Sequence, residues 1–214
     1  PVAAGVPVGT VGGTEALDEG GNRFFFSGTP NAGVAKVYSL STINGAVLAS
    51  PNLSNAQDGI MMMDWDAGES KLFCLVSVGA GDRQLCTVST ATGAVTLLGT
   101  PIFGGSLATA GVHALDATGN RFFFVGLPGS EPGDLYVINT VTGAKIASPT
   151  MTGAISTVRA LAWDSAESTL FGLFSLANGD AQLGTINTST GAVSLRGNPL
   201  TGGTVGTSGA ALDA

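Results

Sequence analysis

Charge is what this chain has least of. Asp, Glu, Lys and Arg make up 11% of its 214 residues, against about a quarter in an average soluble protein. The 8 basic residues are outnumbered by 15 acidic ones, for a net charge of -7. That balance excludes a nucleic-acid partner, whose binding depends on cations placed at phosphates. No apolar run approaches the roughly 18 residues of a spanning helix, so no membrane span and a soluble chain are expected. The single histidine, His113, has no His or Cys beside it, which argues against a metal centre built on it. Two cysteines are too few for a disulfide-dense scaffold. Disorder is excluded as well, because 44% of the residues are hydrophobic and mean hydropathy is +0.37. A surface of Gly, Ser, Thr and Ala in place of charge suits a secreted protein, or one whose surfaces are covered by its own copies. The chain starts at Pro1 rather than Met, so a removed upstream segment is expected, of which a cleaved secretion signal is one form.

What is present is a repeat. An apolar strand ending in aspartate occurs five times: Ala16-Leu17-Asp18, Asp64-Trp65-Asp66, Ala114-Leu115-Asp116, Ala162-Trp163-Asp164 and Ala211-Leu212-Asp213. The closing aspartates are 48, 50, 48 and 49 residues apart, and a fixed period of this size marks a repeat architecture. The period is itself doubled. Asn22-Arg23-Phe24-Phe25-Phe26 returns 98 residues later as Asn120-Arg121-Phe122-Phe123-Phe124, and Trp65-Asp66 returns as Trp163-Asp164.

Each unit reads as four short strands. Four residues after Asp18, Asp66, Asp116 and Asp164 stand Asn22, Ser70, Asn120 and Ser168, a spacing that suits a tight turn closed by side chains. These aspartates are assigned to turn formation. A strongly apolar second strand follows, whose Phe and Leu positions do not alternate with polar ones, so it is expected to be covered on both faces. The third strand leads into the sharpest local signal, a polar turn closed by Gly-Ala, as in Ser41-Thr42-Ile43-Asn44-Gly45-Ala46. The short fourth strand ends near Pro51, Pro101, Pro149 or Pro199, as an outer edge can.

Four strands per unit of about 49 residues, with an internal 98-residue duplication, predict an all-β four-bladed β-propeller. The chain is expected to be a single domain over 1–214, with blades near 14–60, 61–110, 111–158 and 159–206 and an extra terminal strand at 207–214. The stretch Leu135-Tyr136-Val137-Ile138-Asn139-Thr140-Val141-Thr142-Gly143 resembles the repeats of the YVTN and PQQ-like β-propeller families, which often read Leu-Tyr-Val-Ile-Asp-x-x-Thr-Gly. The resemblance implies the propeller fold. The family's aspartate is here Ser41, Ser89, Asn139 or Asn187, and nothing matches a quinone site, so no cofactor is expected.

The fifth mark has no blade of its own. Residues 210–214 would close the ring, pair with another molecule, or continue into a longer chain; Ala211, Leu212 and Asp213 are thus strand-exchange candidates. Cys74 and Cys86 flank Gly79-Ala80-Gly81, and a hairpin centred on Ala80 would set them opposite each other, within reach of a disulfide. The alternative is two reduced, buried thiols. Their counterparts 98 residues on are Gly172 and Gly184, so both positions change together.

Few residues carry chemistry. His113 corresponds to Glu15 in the first blade, and no Gly-x-Ser-x-Gly elbow or Ser-His-Asp set assembles. Asp64, Asp66 and Glu69 form a carboxylate cluster, but Asp164 and Glu167 repeat two of the three, which points to turn structure. Met61, Met62 and Met63 lie on a strand expected to line the central channel, where they would be gap-filling core or an apolar mouth. Trp65 and Trp163 read as inter-blade packing, with carbohydrate stacking as the other reading. Met61, Met63, Trp65, His113, Arg159 and Trp163 are therefore the candidate ligand or channel contacts. Asn52-Leu53-Ser54 and Asn187-Thr188-Ser189 match the glycosylation pattern. The expected function is that of a secreted or periplasmic, non-enzymatic assembly subunit, working through self-association or another extracellular protein. A lectin-like propeller is the alternative, and an enzyme at the channel mouth is less expected.

Overall fold

The computed structural model describes residues 8–9, 15–30, 33–54, 59–79, 82–104, 106–107, 112–127 and 133–202. The fifth aspartate mark, with Ala211, Leu212 and Asp213, lies outside these residues.

The described chain is all-β, folded into four antiparallel sheets that form the blades of a propeller. Blade one comprises Glu15–Asp18, Arg23–Pro30, Lys36–Ser41 and Val47–Ala49. Blade two comprises Ile60–Asp66, Lys71–Ser77, Asp82–Val88 and Val95–Leu97. Blade three comprises His113–Asp116, Arg121–Leu127, Asp134–Asn139 and Lys145–Ala147. Blade four comprises Thr157–Asp164, Thr169–Ser175, Ala181–Ile186 and Val193–Leu195. Within each blade, strands pair in chain order. Short pieces extend three of the sheets: Val8–Gly9 beside Arg23–Pro30, Phe103–Gly104 beside Asp82–Val88, and Ser106–Leu107 beside Arg121–Leu127.

Local chemistry sets both kinds of turn. After each inner strand the aspartate Oδ1 accepts from the backbone amide three residues on: Gly21 to Asp18 at 2.9 Å, Glu69 to Asp66 at 3.0 Å, Gly119 to Asp116 at 2.8 Å and Glu167 to Asp164 at 2.9 Å. The next residue takes a left-handed conformation, with φ of 52° at Asn22, 52° at Ser70, 54° at Asn120 and 51° at Ser168. Short polar side chains tolerate that region better than branched ones do. The outer turns close on Gly45, Gly93, Gly143 and Gly191, with φ from 70° to 74°.

The core lies between blades. One cluster joins blades one and two through Phe25, Val37, Met63, Leu72, Cys74 and Cys86. Its 98-residue repeat joins blades three and four through Phe123, Val137, Leu161, Leu170 and Phe174. A cluster of different make-up joins blade two to blade three, where Met62, Phe73, Leu75 and Leu85 meet Phe122 and Phe124. Among the described residues no apolar cluster joins blade four to blade one.

This arrangement corrects one expectation. The second strand is covered on both faces only in blades two and three, where Leu72–Val76 and Phe122–Val125 are buried throughout. In blade one Phe25 is buried but Phe24 and Phe26 are half-exposed; in blade four Leu170 and Phe174 are buried but Phe171 and Leu173 are half-exposed. The identical Phe triple thus has different surroundings in blades one and three, because only blade three has a neighbour on each side.

Cys74 and Cys86 stand opposite each other in register and form a disulfide, with Cα atoms 5.1 Å apart. Their counterparts are glycine for a steric reason. A Cβ on Gly172 would lie 2.6 Å from the Phe174 ring, and one on Gly184 would lie 3.0 Å from it. Val76 stands at the position equivalent to Phe174, so blade four fills with one large ring the space that blade two fills with the disulfide. Interiors packed to this density tolerate little added volume. Gly172→Ala is expected to destabilise the protein by about 1–3 kcal/mol in chemical denaturation. Combined with Phe174→Val it should cost less than the two single effects summed, because the smaller side chain clears the clash. Full additivity would show that the ring does not fill this space.

Candidate functional site

The surfaces that stand out chemically are the two end faces of the blade series. The outer face of blade one presents Leu17, Phe24, Phe26, Tyr38 and Leu40, with Phe26 stacked on Tyr38 at 4.7 Å. Leu17 is 49% exposed. The opposite face, on blade four, presents Phe171, Leu173, Leu183 and Leu200; Leu183 is 48% and Leu200 61% exposed. Arg196 lies over the Phe171 ring at 5.5 Å. Burying a large apolar side chain is worth roughly 1.5–3 kcal/mol, so each face forgoes several such contributions while uncovered.

A second feature is a cleft of about 300 Å³ between blades one and two, lined by Ser27, Leu53, Ile60, Met61, Ser77 and Arg83 among others. The buried guanidinium of Arg83 donates to Ser77 Oγ at 3.1 Å and to the Asp82 carbonyl at 3.0 Å. The corresponding residue in blade four is Ala181, and there Arg159 donates to Ser175 Oγ at 2.7 Å. The two halves thus place an arginine against the same serine from different strands.

The tryptophans are structural. Arg23 ion-pairs with Asp18 at 2.5 Å and lies over the Trp65 ring of the next blade at 4.9 Å. Arg121 repeats this with Asp116 at 2.6 Å and Trp163 at 4.7 Å. Each Trp also packs on a phenylalanine of the preceding blade, Phe25 or Phe123. These stacks bind blade one to two and blade three to four. Burial acts to raise the Asp18 carboxyl, but the Gly21 amide and the Arg23 guanidinium together hold it below its ordinary value. Asp164 bonds the amides of its own turn.

Two of the three methionines are core residues. A bulge between Ile60 and Met62 sends Met62 into the cluster with blade three and Met63 into the cluster with blade one, both fully buried. Met61 lines the cleft beside Arg83. His113 serves the junction of blades two and three. Its Nε2 bonds the Met63 carbonyl at 2.8 Å and its ring stacks on Phe122. Among the described residues no three His, Cys, Asp or Glu side chains converge as metal ligands. No helix there is long and apolar enough to cross a membrane. The end faces and Arg83 escaped sequence reasoning. Arg83 carries no repeat signal, and the faces are recognisable only once blade order is known.

No protein-family model matches the sequence, and no curated protein does. The fold matches many solved structures. The chain aligns with TolB from Acinetobacter baumannii at 15% identity and a TM-score of 0.56, covering 84% of this chain and 41% of that one. It aligns with a puromycin-hydrolyzing peptidase from Mycobacterium tuberculosis at 18% identity and a TM-score of 0.55, over 85% of this chain and 28% of that one. A Bacteroides thetaiotaomicron protein of unknown function aligns at 17% identity and a TM-score of 0.52, over 87% and 45%. The matches are to β-propeller proteins. The chain spans less than half the length of each of these three, and at these identities the likeness concerns the fold alone.

Asp64 lies where blades two and three meet, its Oδ1 accepting from the Trp65 amide at 2.9 Å. Burial pushes its carboxyl above the ordinary 3.8, against the pull of His113 and with a smaller upward push from Asp66. A raised folded-state pKa means that the folded protein holds the proton longer. Stability from this group is therefore present at low pH and is lost as pH rises from 3.8 through the raised value. Asp64→Asn is expected to raise the melting temperature at pH 7, with the gain over wild type shrinking towards pH 3.5. A gain equal at both values would show that the carboxyl titrates normally.

Proposed function

We propose that this chain is a non-enzymatic propeller module that works by protein–protein assembly. One observation carries the reading: the blade series ends in two apolar sheet faces of the kind that are buried between its own middle blades. Contiguous exposed apolar surface of this sort marks an interaction site. The low surface charge agrees, because interface centres are depleted of charged residues. The Cys74–Cys86 bond fits an oxidising compartment, and we take the protein to be secreted or periplasmic. Residues 1–214 are taken as a single domain whose repeats follow the YVTN and PQQ-like pattern in their strands and turns. Residues 207–214 are a further candidate contact by strand exchange.

The cleft beside Arg83 favours one second reading, a lectin-like binder of a small polar ligand, with Ser27 and Ser77 supplying hydroxyl partners. Glycan-array binding that is lost in Arg83→Ala would support that reading, and an array without hits would remove it.

Assembly is tested by size-exclusion chromatography with light scattering across a wide concentration range. The expected mass exceeds the 21.1 kDa of one chain and falls on dilution. A single-chain mass at every concentration would contradict the reading.

A further inference from the structure

We propose that the partner of this surface is a second copy of the chain, docked reciprocally so that blade four of each copy covers blade one of the other and two chains complete an eight-bladed ring. The inference rests on the assembly reading above and specifies its partner.

The template for the contact is inside the molecule. In the junction of blades two and three, Phe122, Phe124, Tyr136 and Ile138 of blade three pack on Met62, Phe73, Leu75 and Leu85 of blade two, all buried. Moving the blade-three set back by 98 residues gives Phe24, Phe26, Tyr38 and Leu40, which lie on the uncovered face of blade one. Moving the blade-two set forward by 98 gives Ala160, Phe171, Leu173 and Leu183; the last three lie on the uncovered face of blade four. The two end faces are thus the two halves of an interface that the chain already makes once. Leu85 is fully buried where its counterpart Leu183 is 48% exposed.

Backbone contacts tell the same story. In the internal junction Gly143 packs against Leu98 and Gly99 so closely that a Cβ on Gly143 would sit 2.2 Å from the Leu98 carbonyl carbon. Their counterparts Gly45 and Gly197 have nothing within 4 Å of the Cβ position. Two substitutions at the junction are also complementary. His113, which reaches across to Met63, is replaced on blade one by Glu15. Met61, which packs against the same junction, is replaced on blade four by Arg159. Opposite charges therefore stand at corresponding places on the two free faces.

Because each copy carries one of each face, the contact is heterologous, and such contacts close into a ring when the rotation allows. Two copies satisfy both faces.

The test uses two surface variants and their mixture. Leu17→Asp disables the blade-one face and Leu183→Arg the blade-four face; both sites are about half exposed in the single chain, so folding is preserved, as circular dichroism will confirm. Wild type is expected at twice 21.1 kDa. Each variant alone is expected to dissociate about 100-fold more readily or worse, since every contact would bury an unpaired charge. Their equimolar mixture is expected to recover the pair, because Asp and Arg then meet across one contact and two wild-type faces across the other. Wild type that is monomeric throughout would overturn both this inference and the assembly reading. Assembly that survives in either variant, a mixture that fails to recover it, or open-ended polymers in place of a pair would overturn this inference while leaving assembly through another surface.

Discussion

Everything in this molecule depends on sheets having two faces. A four-stranded blade of this sequence is apolar on both sides, so it is stable only when another sheet covers each side. Blades two and three meet that condition inside the chain. Blades one and four meet it on one side only, and their outer rings and leucines are left half-exposed. The fold and the functional proposal are consequences of this one constraint.

The 98-residue duplication acquires a physical meaning from it. The junctions between blades one and two and between blades three and four are built alike, each clamped by an arginine that pairs with the aspartate of its own turn and lies over the tryptophan of the next blade. The junction in the middle uses no such clamp. Lys71 stands where Arg23 stands in blade one, and it pairs with Glu69. The molecule is therefore two double blades joined by a second kind of contact, and its ends are the two sides of that contact.

Much of the fold was legible in the sequence because its signals are local. An aspartate, a small polar residue four positions on and a Gly-Ala turn each act within a few residues of themselves, and period counting placed the strands. What could not be read was set by neighbours. Phe24-Phe25-Phe26 and Phe122-Phe123-Phe124 are the same letters, yet only the second triple is buried throughout, because burial depends on the blade next door. The joint replacement of Cys74 and Cys86 by glycine was visible, but its reason, the Phe174 ring, required the register of two strands. Core and channel mouth both stayed open for the methionines, because the bulge that sends Met62 and Met63 to opposite clusters leaves no mark in composition.

The end faces are where such reasoning meets function, since an apolar sheet face without a neighbour is incomplete in the same sense as a half-formed core. Hydroxyl-radical footprinting with mass spectrometry addresses that claim most directly. At concentrations where the paired form prevails, Phe24 and Phe26 should be oxidised as slowly as their buried counterparts Phe122 and Phe124. On dilution they should become reactive while Phe122 and Phe124 stay protected. Phe24 and Phe26 that remain equally reactive at every concentration would contradict the account.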